Sequence, residues 1–142
     1  MELRIRDSQQ IIDEAFGKWL IPRIKTKLIS SISRYKFANW DNYLSTSDNI
    51  PRLYEDKEYT AASIIIFAAN ELVCQGGPGE IVIEFNTNDF VPGYDRLKLT
   101  TIIKTINYGT LDIKGCPIFT DVLDHFARHI STYARLYYRL WG

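Results

Sequence analysis

The pattern that most constrains the fold lies in residues 117–141, PIFTDVLDHFARHISTYARLYYRLW. Large apolar side chains recur there at alternating spacings of four and three residues, namely Phe119, Leu123, Phe126, Ile130, Tyr133, Tyr137 and Leu140. This spacing predicts one helix of about 23 residues, roughly 35 Å long, that begins just after Pro117. The apolar seam can pack in the domain's own core or against a helix of a neighbouring subunit. The outer face of this helix carries Arg128, Arg135 and Arg139.

A second apolar stripe predicts a long helix near the N-terminus. Its members recur every four residues and are Ile12, Phe16, Leu20, Ile24, Leu28 and Ile32. Asp7 or Ser8 can cap this helix. Pro22 lies inside the stripe and is expected to kink or split the helix near Ile21.

The middle of the chain predicts a small antiparallel sheet. Residues 76–79, GGPG, form a turn, and the alternating residues 80–86, EIVIEFN, predict a strand that pairs with residues 71–75 as a hairpin. Residues 59–75 fit either a buried helix or a strand. Residues 97–107 favour a helix that Gly109 stops, with a β-branched strand as the alternative. The sequence thus predicts a single domain, residues 1–142, of the α+β class. Its long N-terminal and C-terminal helices pack on a small antiparallel sheet.

Two aperiodic stretches, residues 37–58 and 86–96, are predicted to be loops that supply most contacts to other subunits. Large aromatic side chains dominate interface energetics. The candidate interface anchors in the two stretches are Trp40, Tyr43, Phe90 and Tyr94. For the first two, packing back on the chain's own core is an equal alternative.

The formal net charge is zero, but the charges are segregated along the chain. Residues 1–40 carry a net charge of +4, residues 41–95 of −8, and residues 96–142 of +4. One interpretation is that Lys25 and Lys27 of one subunit face Glu55 and Asp56 of another, since complementary potentials set register and encounter rate. Solvated surface charge is the alternative, and the basic run of residues 18–36 also allows a nucleic-acid surface.

No pattern in the chain predicts catalysis, a metal site or a cofactor. Cys74 and Cys116 have no CxxC spacing and are typical of free thiols in a cytosolic protein. Asp121, His125 and His129 share a helical face and could contact a metal, but an Asp–His ion pair is favoured. Walker, GxGxxG and GxSxG motifs are missing, as are an apolar span long enough for a membrane and a signal peptide.

Residues 106–110, INYGT, followed by Pro117-Ile118-Phe119 and a closing helix, resemble the tail-completion (head–tail joining, neck) proteins of tailed bacteriophages. The resemblance implies an α+β structural virion protein, assembled in the host cytoplasm, without catalysis. Its partners would be copies of itself in a ring, connector and tail-tube proteins, and packaged DNA in passing contact. The alternative function is a small nucleic-acid-binding regulatory protein.

Overall fold

The computed structural model describes residues 1–7, 12–46, 60–86, 91 and 98–141. For residues 140 and 141 it describes the helical backbone alone. Within these residues, six α-helices pack with one three-stranded antiparallel sheet. The predicted α+β class is therefore confirmed. The buried apolar side chains of both layers join one hydrophobic cluster.

The sheet contains the predicted hairpin and one strand that the sequence did not predict. Strand β1 is Glu2–Arg6, β2 is Leu72–Gly76 and β3 is Glu80–Phe85, in the spatial order β1-β3-β2. β3 pairs antiparallel with both neighbours, so that Ile83 faces Leu3 of β1 and Cys74 of β2. The inner face buries alternate apolar residues, and the outer face is charged, with Arg4 paired to Glu80.

The first helix, α1, covers Glu14–Ser31, and its start differs from the predicted one. Asp13 caps it by accepting a hydrogen bond from the backbone N–H of Phe16 at 3.0 Å. Asp7 instead accepts from the backbone N–H of Ile12 at 3.0 Å, and Ser8 lies outside the described residues. Pro22 does not split the helix, because buried apolar residues on both sides of it anchor α1 to the core.

Helices α2 (Ala38–Thr46) and α3 (Ala61–Asn70) occupy much of the middle of the chain. The predicted loop at residues 37–58 is therefore wrong for residues 38–46, where Trp40 and Leu44 form a buried pair four residues apart. The ambiguous residues 59–75 divide into helix α3 followed by strand β2. Thr60 starts α3 through a capping box with Ser63.

Helix α4, Leu99–Tyr108, ends at Gly109 as expected, where φ is +87°. The predicted single C-terminal helix is wrong, because α5 (Ile118–Arg128) and α6 (Ile130–Trp141) are separated at His129. A contact across the break explains it, since the rings of Phe126 and Tyr133 stack with centroids 4.7 Å apart. Seven residues of straight helix would separate them by about 10 Å along the axis.

The apolar seam of α5 packs in the chain's own core. Phe119, Leu123 and Phe126 are buried, whereas Ile130, Tyr133 and Tyr137 of α6 are half-buried. α1 packs on β2 and β3, and α5 packs on β1 and α1. The first turn of α5 is hydrogen-bonded to Asn107 at the end of α4, and its last turn lies near residues 23–30 of α1.

Candidate functional site

The segment that joins α4 to α5 presents the most exposed apolar side chain of the described residues. We call residues 109–116 the tip loop. Leu111 in this loop is fully exposed, and Tyr108, at the end of α4, is 67% exposed. Asp112 and Lys114 beside them are exposed as well. The loop therefore offers an apolar side chain flanked by charges of both signs.

Backbone hydrogen bonds close the tip loop on itself. Gly109 and Lys114 form an antiparallel bridge, and the N–H of Thr110 donates to the carbonyl of Ile113 at 2.9 Å. The hydroxyl oxygen of Thr110 accepts from the N–H groups of Asp112 and Ile113 at 3.2 and 3.1 Å. Such internal bonding holds the loop in one conformation.

Glycine is required at two positions of the tip loop. Gly109 has a φ of +87°, in the left-handed region that favours glycine. At Gly115, a Cβ atom would lie 2.5 Å from the carbonyl oxygen of Asn107, which is backbone and cannot swing aside. The two sides of the loop can approach so closely only because Gly109 and Gly115 have no side chain.

Asn107 fixes the tip loop to the core. Only 2% of this residue is exposed, and its Oδ1 accepts hydrogen bonds from the N–H groups of Phe119 and Thr120, both at 3.1 Å. Its Nδ2 donates to Thr120 Oγ1 at 2.7 Å. Asn107 thus satisfies two N–H groups in the first turn of α5, which have no partner inside the helix. Both ends of the loop are held by this one side chain.

A second surface, which we call the basic groove, lies where α1 faces the break between α5 and α6. It has a volume of about 390 Å³. The lining residues are Arg23, Thr26, Lys27 and Ser30 of α1, Phe126 of α5 and Tyr133 of α6. The four α1 residues share one helical face, because they are spaced three, four and seven residues from Arg23.

The charges near the basic groove are positive. Arg23 lies over the ring of Trp19, 3.6 Å from its centroid, and its Nη1 donates to the Trp19 carbonyl at 3.1 Å. Burial lowers the pKa of His125 below its ordinary value, and the positive charges of Lys27, His129 and Arg128 lower it further. Protonation of His125 is therefore disfavoured first by its burial and then by the positive charge around it.

The predicted interface residues fall into three groups. Trp40 is buried, so it packs on the chain's own core, and Tyr43 is half-buried against it with ring centroids 5.5 Å apart. Lys25 and Lys27 are half-buried on α1. The others lie outside the described residues, and these are Glu55, Asp56, Phe90 and Tyr94.

The expected Asp–His ion pair is wrong, because both side chains have other partners. Asp121 accepts a hydrogen bond from the hydroxyl of Tyr35, and burial together with this bond raises the pKa of Tyr35 to about 12. His125 Nε2 lies 3.1 Å from the Tyr133 hydroxyl. In the described parts of the chain, no three His, Cys, Asp or Glu side chains are grouped to hold a metal ion.

Both cysteines are free thiols. Burial raises the pKa of Cys74 and of Cys116, so both favour the unreactive protonated form. Within the described part of the chain, the indole N–H of buried Trp40 has no acceptor in normal hydrogen-bond geometry, although it lies near enough to the Cys116 thiol to oppose the rise of that pKa. Neither cysteine therefore has the environment of a nucleophile.

Sequence reasoning missed the main feature of the site, the exposure of Leu111. The glycines and the Asn-Tyr-Gly-Thr segment were visible, but a single leucine in a short loop carries no periodicity. A search for membrane-spanning segments among the described residues finds no helix of sufficient length and apolar character. Compared with models of protein families, with curated proteins and with solved structures, the chain matches none of them.

Proposed function

We propose that this protein is a structural virion subunit of a neck or tail-completion ring, which joins the head connector to the tail. The observation that carries the proposal is the tip loop, a clamped loop that presents a fully exposed leucine. An apolar side chain held in place before docking loses little conformational entropy when it is buried in a partner. The residues around this loop are also those that resemble the phage family.

The proposed ring requires two different surfaces on each subunit, because head-to-tail contacts close a ring only between unlike patches. The tip loop is one such surface. The positively charged face around the basic groove is another and differs from it in both shape and charge. The proposed partners are therefore copies of this chain, and then the connector and tail-tube proteins above and below the ring.

Replacing Leu111 with serine is expected to weaken self-association about 30-fold, because truncation of an interface anchor costs about 2 kcal/mol or more. Stability of the isolated subunit should be unchanged, since the Leu111 side chain contacts solvent. Sedimentation of the purified chain over a range of concentrations measures the association, and thermal unfolding measures the stability.

The matched control is Leu136→Ser, which makes the same change at a leucine of α6 that is 42% exposed. We expect the control to associate like the natural chain. A natural chain that stays monomeric at every concentration, or a Leu111→Ser variant that associates normally, would contradict the proposed ring contact.

A small nucleic-acid-binding regulatory protein is the second candidate function. The observation in its favour is that Arg128, Arg135 and Arg139 are all exposed, on α5 and α6, which both pack against the basic helix α1. A monomer that binds generic duplex DNA with a strong dependence on salt would favour this function over the ring.

A further inference from the structure

We infer that the basic groove between α1 and the α5–α6 break is a binding site for a phosphate group. Two of its lining side chains, Arg23 and Lys27, are cationic, and none of its described lining residues is a carboxylate. The inference is independent of the proposed ring, because it depends on this groove alone and not on the tip loop.

The two cations are placed to act on one ligand. Arg23 and Lys27 are four residues apart on α1 and therefore neighbours on one helical face. The guanidinium group of Arg23 is already held by the Trp19 ring and the Trp19 carbonyl, and only one of its N–H groups is used in that bond. Its remaining donors form a planar fork, which suits the oxygens of a phosphate.

The hydroxyl groups in the groove are engaged with the helix backbone. Thr26 Oγ1 donates to the Pro22 carbonyl at 2.9 Å, and Ser30 Oγ donates to the Lys27 carbonyl at 3.1 Å. The donors for an anion are therefore Arg23 and Lys27. Phe126 and Tyr133 supply an apolar wall that lowers the local dielectric and strengthens the attraction.

The surrounding elements leave this positive charge without nearby compensation. α1 has no acidic residue after Glu14, and α6 has none at all. The two acidic residues of α5 are Asp121, which is bonded to Tyr35, and Asp124, which is exposed. In the described residues, neither Arg23 nor Lys27 forms an ion pair. A bound dianion would therefore meet Lys27 and Arg23 directly.

The phosphate can come from two sources, a free phosphate ion or the backbone of DNA. The groove is open to solvent, so the phosphate of a free ion or of a DNA strand can reach it. Arg128 of α5 is also exposed, two residues after the groove-lining Phe126, and offers a further cation to a longer DNA strand. Titrations with inorganic phosphate and with a duplex oligonucleotide distinguish the sources.

The test is calorimetric titration with inorganic phosphate, together with fluorescence anisotropy of a labelled DNA duplex at low and physiological salt. The variant Lys27→Gln should bind the probe about tenfold more weakly, because a charge-assisted hydrogen bond is lost. Lys27→Arg should retain the affinity. The matched control is Lys25→Gln, which removes the same charge from α1 at a position that does not line the groove.

Binding of either probe with selective loss in Lys27→Gln supports the site, and the probe that binds identifies the source. If DNA is the source, Lys27→Gln should also reduce the slope of log K against the logarithm of the salt concentration by about one, because one fewer counterion is released. Equal losses in Lys27→Gln and Lys25→Gln would show diffuse attraction to α1 and overturn the site. Failure of both probes to bind would also overturn it, whatever the oligomeric state of the chain.

Discussion

Replacing Phe126 with alanine is expected to lower the free energy of unfolding by about 3–5 kcal/mol, the range for truncation of a buried phenylalanine. Only 1% of Phe126 is exposed, so the lost ring would leave a cavity in the core. The ring also stacks on Tyr133 across the α5–α6 break, at a centroid distance of 4.7 Å. The variant therefore loosens the attachment of α6 as well as the packing of α5. Urea denaturation followed by circular dichroism measures the change.

The control for Phe126 is Leu136→Ala, at an exposed position of α6, where we expect a change within about 0.5 kcal/mol. A loss below 1 kcal/mol in Phe126→Ala would contradict the burial of the apolar seam in the chain's own core. It would favour the alternative, in which the seam is completed by a helix of another subunit.

Replacing Asn107 with alanine is expected to lower the free energy of unfolding by about 2–4 kcal/mol. The substitution removes three hydrogen bonds and leaves the N–H groups of Phe119 and Thr120 without their acceptor. Each buried donor that loses its partner costs about 1–3 kcal/mol. Hydrogen exchange should show faster exchange of these two amides, and denaturation gives the total loss.

The informative control is Asn107→Asp, which keeps an acceptor oxygen facing the first turn of α5. A carboxylate is favoured at the positive end of a helix, and the Thr120 hydroxyl can donate to it. We therefore expect Asn107→Asp to retain most of the stability that Asn107→Ala loses. Equal losses in both variants would show that the amide acts by shape alone and not as an acceptor for α5.

The sequence predicted the elements whose apolar residues recur over several turns or alternate between turn signals. The stripe of α1, the seam of α5 and the hairpin of β2 and β3 were all recognised in this way. β1 was missed because five residues with two apolar side chains give too short an alternation. α2 was missed because only Trp40 and Leu44 face the core, and the rest of the helix is polar.

The break at His129 could not be predicted from local sequence. The spacing of apolar residues continues without interruption from Phe119 to Tyr137, and helix propensity gives no reason to stop. The break is fixed by tertiary contacts, in which Tyr133 returns to Phe126 and Tyr137 packs on the rings of Phe16 and Trp19. Such contacts join residues whose proximity is decided only after the helices have packed.

The same limit applies to the candidate site. Lys25 and Lys27 are equivalent in the charge pattern, but only Lys27 lines the basic groove. Leu111 is one of many leucines in the sequence, and nothing in its neighbours marks it as the exposed one. The charge pattern located the basic helix, and the resemblance pointed to residues 106–110, whereas the particular side chains that face outward depend on the fold.

The position of β1 has a consequence for how the chain folds during synthesis. Among the described residues this strand pairs only with β3, and Glu2 lies opposite Glu84, so the two partners are far apart along the chain. Contacts of such high sequence separation slow folding. At about 5–20 residues per second, a ribosome needs about 4–16 s to make the intervening residues. Throughout that interval the apolar side chains of β1 have no strand beside them, so the nascent chain depends on α1 or on a chaperone to cover them.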